Sequence, residues 1–468
     1  MSPRQRQIRE LLLSIDRSRG VGIGRQIETQ LREKVTSGLL PMGMELPSTR
    51  VLAEDLAVSR GVVVRAYRQL AAEGYITLRQ GANPCVNGSR TKAVAPAQRQ
   101  NGAPEKYRLD LRPDLPDLAS FPRGGWLRAQ QRAMQSASMQ ELGNTDGRGL
   151  WPLRKELAAY LGRSRGVLVR PETLVVTAGT SQSLSLVARA LAAEGVSEIA
   201  FENPSCALHH AAVRQAGFEP RGMRIDEQGL IVSELGAAGV GAVVVCSTYQ
   251  FPTGTSLSDP RRAALIEWST DCGGFIVESD SELRDDNASP APLQRQAPDR
   301  VIYLGSTRKT LGPGLPLGWA VVPDRLIPSV QELSASLVHV SSFDQLAFGD
   351  FLAHGDYDRH MRKMRGIYRQ RRAVLIDALH HAFPDASTVA PAAGLHVILL
   401  TGRSGLARNV CAVARGRGVA LDSVWDHALP GYDGPEGILV GFGQVADAAV
   451  PAAVAELRRT VAEVASSA

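Results

Sequence analysis

The sequence predicts an α/β protein in which a small helical head precedes a much larger body, and three observations carry that prediction. Short β-branched runs alternate with helix-periodic stretches from residue 174 onward, three short amphipathic segments separated by turn signals occupy residues 22–88, and basic charge is concentrated at the front of the chain. The first 112 residues hold 19 Lys and Arg against 10 Asp and Glu, whereas the remainder hold 34 against 37. Such asymmetry suits a head that meets a polyanion, joined to a near-neutral body.

The 468 residues are about three times the length of a typical domain, so two or three packed units are expected. With 44% apolar and 21% charged residues the composition excludes a collagenous or predominantly disordered chain. No run of about 18 apolar residues occurs, and MSPRQRQIRELLL lacks both an apolar stretch and a small-residue cleavage site. Neither a membrane span nor a signal peptide is expected, and the cytoplasm is the expected location. The five cysteines (Cys85, Cys206, Cys246, Cys272, Cys411) are scattered without a C-x-x-C pair, which argues against a disulfide framework or a zinc cage and for buried free thiols.

In the head, Ile27, Leu31 and Val35 recur at helical spacing and form one stripe of a helix that ends near Gly38, before a turn at Pro41 and Gly43. Ser48 is an N-cap candidate for a second helix carrying Leu52 and Leu56 on one face. Ser59 is placed to cap a third, with Val58 and Val63 as a hydrophobic staple and Val63, Ala66, Tyr67 and Leu70 on one side. The opposite side presents Gly61, Arg65 and Arg68, with Arg60 in the first turn, a guanidinium edge that suits a DNA major groove. A solvated helical bundle would show the same periodicity. Tyr75 to Arg79 and Cys85–Val86, around Gly81, read as two short strands of a wing.

The run LPSTRVLAEDLAVSRGVVVRAYRQLAAEGYITLRQG resembles the winged helix-turn-helix of the GntR regulators over about 65 residues. The resemblance implies DNA contacts from Arg50, Arg60 and the wing. Together with the helix-edge reading this gives Ser48, Arg50, Ser59, Arg60, Arg65, Arg79 and Gly81 as the candidate DNA-binding set. One departure is Val62, where the family usually has a polar residue: it can touch a thymine methyl but cannot hydrogen-bond a phosphate. Residues 89–107 (SRTKAVAPAQRQNGAPEKY) have no apolar period and are expected to be a flexible tether.

The body, residues 108–468, shows strand runs at 174–177, 198–202, 242–246, 275–278, 301–305 and 317–322, apolar enough for a sheet covered on both faces. A long Arg-rich helix is expected over Tyr357 to Phe383, followed by strands HVILL and GILVGF and a helix near 448–465, the outline of a smaller α+β subdomain. The segments LVVTAGTSQSLSLVARAL, FENPS, STYQFPTGTSLSDPRR and VIYLGSTRKTLGPGLPLGW resemble fold-type-I aminotransferases, and the whole chain resembles the MocR/GabR-type regulators that join a GntR head to such a body. In that family the lysine of the S-x-x-K segment, here Lys309, carries the covalent bond to pyridoxal 5'-phosphate (PLP). Thr180 and Ser181 after Gly179, assisted by Ser306, are expected at the phosphate, and Asp280 or Glu278 at the pyridine nitrogen.

Several family contacts depart together. The D-D-Y-D-S-E-F-like run reads E-S-D-S-E-L from Glu278 to Leu283 without its Tyr, the phosphate-binding Arg is Pro316, the ring-covering Tyr is Cys206, the Tyr from a neighbouring subunit is Leu142, and the carboxylate-gripping Arg falls at Gly434-Pro435-Glu436. Each lost charge-assisted hydrogen bond costs roughly 1.5 to 3 kcal/mol, or 10- to 100-fold in affinity. Arg308 is a candidate for restoring positive charge near the phosphate. The expectation is therefore a regulator that binds a double-stranded DNA operator, as a homodimer with no membrane contact, and whose body senses PLP, a PLP–amine adduct or another small effector without transaminase turnover. The alternatives are an active aminotransferase with a regulatory head and a regulator whose body has lost PLP.

Overall fold

The computed structural model describes residues 13–17, 22–36, 39–79, 81–87, 107–143, 147–280, 290–337, 339–391, 393–403 and 405–467. The chain divides into two compact units at residues 105 and 106. The expected tether lies outside the described residues except for Tyr107, which lines a cavity of the second unit. Among the described residues no helix is long and apolar enough to cross a membrane.

The head is built from α1 (Ile23–Thr36), α2 (Thr49–Asp55) and α3 (Arg60–Ala72), closed by the antiparallel pair β1 (Ile76–Thr77) and β2 (Cys85–Val86). Ile27, Leu31, Val35, Leu52, Val63, Ala66, Tyr67 and Leu70 form its buried core, the residues whose spacing marks one face of each helix. The Ser48 hydroxyl accepts from the Val51 N–H at 3.4 Å and caps α2. Tyr67 donates its phenolic hydrogen to the Pro47 carbonyl at 2.9 Å, fastening α3 to the start of α2. Two expectations need correction. Ser59 stands at the N-cap of α3 but its side chain makes no cap hydrogen bond, and the first wing strand is only Ile76–Thr77, because residues beyond Thr77 no longer pair with β2.

In the body, β3 (Leu109–Asp110) leads into a sheet made of β4 (Leu174–Thr177), β5 (Ile199–Asn203), β6 (Pro220–Asp226), β7 (Gly229–Leu230), β8 (Ala242–Val245), β9 (Phe275–Ser279), β10 (Val301–Ser306) and β11 (Gly318–Val321). Its order is β4-β11-β10-β9-β8-β5-β6-β7. The strands from β10 to β6 run parallel to their neighbours, while β11 is antiparallel to both β10 and β4. Buried residues on both faces of this sheet form separate apolar clusters, as near-continuous apolar strands require. β6 escaped the sequence reading because PRGMRID, near the sheet edge, buries only Pro220 and Met223, without a period of two, and carries charge.

A smaller antiparallel sheet follows, from β12 (Thr388–Val389) and β13 (His396–Leu400), with β14 (Val419–Ala420) pairing instead with β3, then β15 (Asp422–Ser423) and β16 (Gly437–Gly441), in the order β12-β13-β16-β15. The long Arg-rich helix spans Asp356–Ala382 and the last helix Val450–Ser467. Gly441 and Gly443 have no side chain where the backbone of residues 111–115 passes: a Cβ at Gly441 would strike the Arg112 carbonyl, and one at Gly443 the Leu115 carbonyl. The Gly441 N–H donates to the Leu111 carbonyl at 2.7 Å and holds that segment in place.

Candidate functional site

The head carries its cationic side chains on the face opposite its core. Arg60, Arg65 and Arg68 are exposed along α3, and Arg50 on α2 is 82% exposed with Glu54 3.8 Å away, a separation too open to hold it. The Arg60 Nε donates to the Thr49 hydroxyl at 3.4 Å, so the first turn of α3 and the start of α2 present one edge. Arg79 and Gly81 are exposed beside the wing, Gly81 with φ of +79° in the left-handed region that favours glycine. Ser48 is half-buried and spent on its cap. The arrangement offers guanidinium groups to phosphates and base edges.

In the body, a cavity of about 620 Å³ gathers Lys309, Thr180, Ser181, Ser306 and Asp280 among its lining residues. Thr180 and Ser181 open the helix Thr180–Ala193 directly after β4, behind Gly179 at φ +111°. Their N–H groups belong to a helix start, where anions are favoured. The Thr180 hydroxyl donates to Ser306 Oγ at 3.1 Å, so a hydroxyl from the helix start and one from the end of β10 converge on one place. Arg308 and Pro316 line the same cavity, Arg308 as an exposed residue.

Of the two carboxylates considered for the ring nitrogen, Asp280 reaches the cavity and Glu278 does not. Glu278 is buried and accepts from the Ser247 hydroxyl and from the N–H groups of Leu293 at 3.0 Å and Gln294 at 3.1 Å. Burial pushes its carboxyl up in spite of those bonds. Asp280, one pleat beyond Ser279, accepts from the Tyr303 hydroxyl on the neighbouring strand β10. Residues 281–283 of the shortened run lie outside the described residues.

Lys309 stands in a loop after β10 that is tied down on several sides. The Thr307 hydroxyl reaches the Leu315 and Leu317 carbonyls at 3.0 and 3.2 Å, Thr310 Oγ1 and the Tyr357 hydroxyl share a 3.0 Å hydrogen bond, and His360 Nε2 meets the Thr310 carbonyl at 2.9 Å. The lysine ammonium lies 2.7 Å from Asp114 Oδ2 and 5.4 Å from the centre of the Phe251 ring. Burial opposes both charges, yet each partner's charge prevails: the Asp114 carboxyl is held below its ordinary value, chiefly by Lys309 with help from His396, and the Lys309 ammonium is held above its own. Asp114 was not among the residues singled out in the sequence. Its only trace there is the Pro-flanked run RPDLPD, a turn signal without a periodic pattern.

Other groups nearby are set by burial. Glu202, whose Oε2 accepts from the Cys246 N–H at 2.8 Å, is pushed up to about 8, and His209 is pushed down to about 4 by burial and then by Lys309. The thiols of Cys206 and Cys246 are pushed up, against thiolate chemistry. The expectation of buried thiols holds only for Cys411: Cys272 is exposed, and Cys85, Cys206 and Cys246 are half-buried. Among the described residues no metal-binding cluster occurs. Leu142 is about half exposed, and Glu436 Oε1 accepts from the Gly405 N–H at 2.8 Å.

PLP demands an amine for its aldehyde, an acid for its ring nitrogen and donors for its phosphate. Lys309, Asp280 and the Thr180–Ser181 helix start with Ser306 meet these three demands around one cavity, while Pro316 leaves the phosphate without one guanidinium.

Comparison with known proteins agrees with both units. The model for bacterial regulatory proteins of the gntR family matches residues 23–83, and that for aminotransferase class I and II matches residues 119–422. The chain is 31% identical over 442 residues to the HTH-type pyridoxine biosynthesis transcriptional regulator PdxR of Corynebacterium glutamicum, covering 93% of this chain and 95% of that protein. It is 28% identical over 465 residues to the probable rhizopine catabolism regulatory protein MocR of Rhizobium meliloti, covering 93% and 92%. Among solved structures, the multiple substrate aminotransferase of Thermococcus profundus aligns with a TM-score of 0.69 at 23% identity, over 78% of this chain and 93% of that one, which shows the shared fold.

Proposed function

The chain belongs to the MocR-type GntR regulators, DNA-binding transcription regulators with an aminotransferase class I and II body, and from that premise we propose that its body is a small-molecule sensor without transaminase turnover. The observation that carries this reading is the convergence of Lys309, Thr180, Ser181, Ser306 and Asp280 on one cavity in which Pro316 stands at the position where the resembled aminotransferases carry their phosphate-binding Arg.

In this reading PLP is held by Lys309 at its aldehyde, by Asp280 at its ring nitrogen and by the Thr180–Ser181 helix start with Ser306 at its phosphate. When bound, the cofactor supplies an aldehyde that captures amines and a ring that withdraws electrons. Tyr303 orients Asp280, and the tied loop around Thr307 and Thr310 fixes where the lysine stem begins. A carboxylate clamp has no support at 434–436, since Glu436 is turned to the Gly405 N–H. Effector capture without rapid turnover suits a sensor better than an enzyme.

The head carries the readout. Arg50, Arg60, Arg65, Arg79 and Gly81 form its DNA face, and Ser48 and Ser59 start the two helices that present it. We further infer a cytoplasmic homodimer that binds paired operator half-sites, with effector binding coupled to DNA binding by about 1 to 3 kcal/mol.

One experiment tests the sensor reading. Full-length protein is incubated with PLP, covalent capture is followed by absorbance and fixed with borohydride, and amino donors are then offered. Capture without formation of ketoacid supports the sensor. Steady ketoacid production would make the body an enzyme, and no capture would leave PLP out of the cavity.

A further inference from the structure

Lys309 shows what the floor of the cavity is built to hold. Its side chain is 24% exposed and that of Asp114 17%, so the ion pair is largely withdrawn from water but open to the cavity on one side. The carboxylate presents Oδ2 to the ammonium at 2.7 Å, and the face of Phe251 lies 5.4 Å from the same nitrogen. A carboxylate and an aromatic ring around one cation are the two elements by which proteins recognise ammonium groups. Two further features make the site a built one. Asp114 has φ of +63°, a left-handed conformation uncommon for a side-chain-bearing residue, fixed by the passage of residues 111–115 over Gly441 and Gly443. Its second oxygen, Oδ1, is buried and has no hydrogen-bond partner among the described residues, so acceptor capacity remains.

We propose that Asp114 and Phe251 form a receptor for a primary alkylammonium group, which the ammonium of Lys309 fills in this structure and which an amine effector takes when Lys309 is drawn away. The inference rests on the reading of the cavity as the effector site and names the effector's chemical class: an aliphatic primary amine, received as its cation. His396 Nε2 is hydrogen-bonded to the Pro252 carbonyl at 2.8 Å. Withdrawal of Lys309 leaves the Asp114 carboxyl and the Phe251 ring without the ammonium they share, a state that a ligand ammonium relieves.

Truncating Lys309→Ala removes three methylenes and the ammonium, and propylammonium replaces that group atom for atom. The test follows thermal unfolding of full-length Lys309→Ala, without PLP or DNA, in propylammonium chloride and in sodium chloride of equal ionic strength. A saturable rise, roughly 2 °C when the amine is about tenfold above its dissociation constant, is expected for Lys309→Ala and not for Lys309→Ala/Asp114→Asn. No rise in the single variant, or the same rise in both, overturns the proposal. Should the single variant not accumulate as folded protein, the soluble yield on refolding with propylammonium, again compared with the double variant, separates the same outcomes. Since the assay contains neither cofactor nor operator, its failure removes the ammonium receptor alone. Failure of the sensor reading appears elsewhere, as wild-type protein that captures no PLP.

Discussion

Tyr303 on β10 donates its hydroxyl hydrogen to Asp280 at the end of β9, so the carboxylate that faces the cavity is aimed from the neighbouring strand. If Asp280 pairs with a protonated ring nitrogen, Asp280→Asn weakens PLP binding by roughly 10- to 100-fold, the value of a charge-assisted hydrogen bond. Tyr303→Phe loses less than Asp280→Asn, because it removes one donor to the carboxylate and leaves the carboxylate itself in place. Equilibrium titration of the cofactor by absorbance checks both.

Arg308 supplies positive charge at the cavity wall where Pro316 supplies none. Arg308→Ala is expected to lower PLP affinity by roughly 3- to 10-fold, a small value because the side chain is exposed and screened. Unchanged affinity at low salt would take Arg308 off the phosphate.

The exposed edge of α3 gives a separable effect on DNA. Arg60→Ala lowers operator affinity roughly 10- to 100-fold in gel-shift titrations at fixed salt, with the thermal stability of the protein within about 0.5 kcal/mol of wild type.

Tyr67→Phe tests the head's own architecture. It strips the Pro47 carbonyl of a buried 2.9 Å hydrogen bond and should destabilise the head by about 1 to 2 kcal/mol, seen in denaturant unfolding as a lower midpoint at unchanged slope.

Glu202 makes stability depend on pH in an unusual direction. Burial raises its carboxyl to about 8, the Cys246 N–H bond opposing, so the folded protein prefers the protonated acid. Its contribution is complete below the ordinary carboxylate range and is lost as pH rises from there through about 8. Glu202→Gln, neutral at every pH, should flatten the decline between pH 5 and 8 by about 1 to 3 kcal/mol, read as melting temperature against pH. An equally steep decline in the variant would assign it to another group.

The sequence made some of these features legible and hid others for physical reasons. The head was readable because Ile27, Leu31, Val63, Tyr67 and Leu70 bury a single helical face each, and period 3.6 survives without tertiary context. The central strands were readable because parallel strands buried on both sides, such as Ala242–Val245, are apolar throughout. Lys309, Thr180, Ser181 and Ser306 stood out by their local spelling, and the structure brings them to one cavity. The choice between Glu278 and Asp280 was invisible, since two residues apart on one strand share a side and only the end of β9 separates them. Asp114 was hidden for a different cause. Its partner lies nearly two hundred positions away, and the link runs through the parallel pairing of β3 with β14 and the bare backbone of β16.

Those bare positions have an evolutionary consequence. Any methyl group acquired at Gly441 or Gly443 would collide with the Arg112 or Leu115 carbonyl and lift the anionic end of the cavity floor away from its lysine. Ligand preference is thus exposed to drift at two sites that never meet a ligand, and homologues bearing alanine there should have a remodelled floor even where every lining side chain is retained.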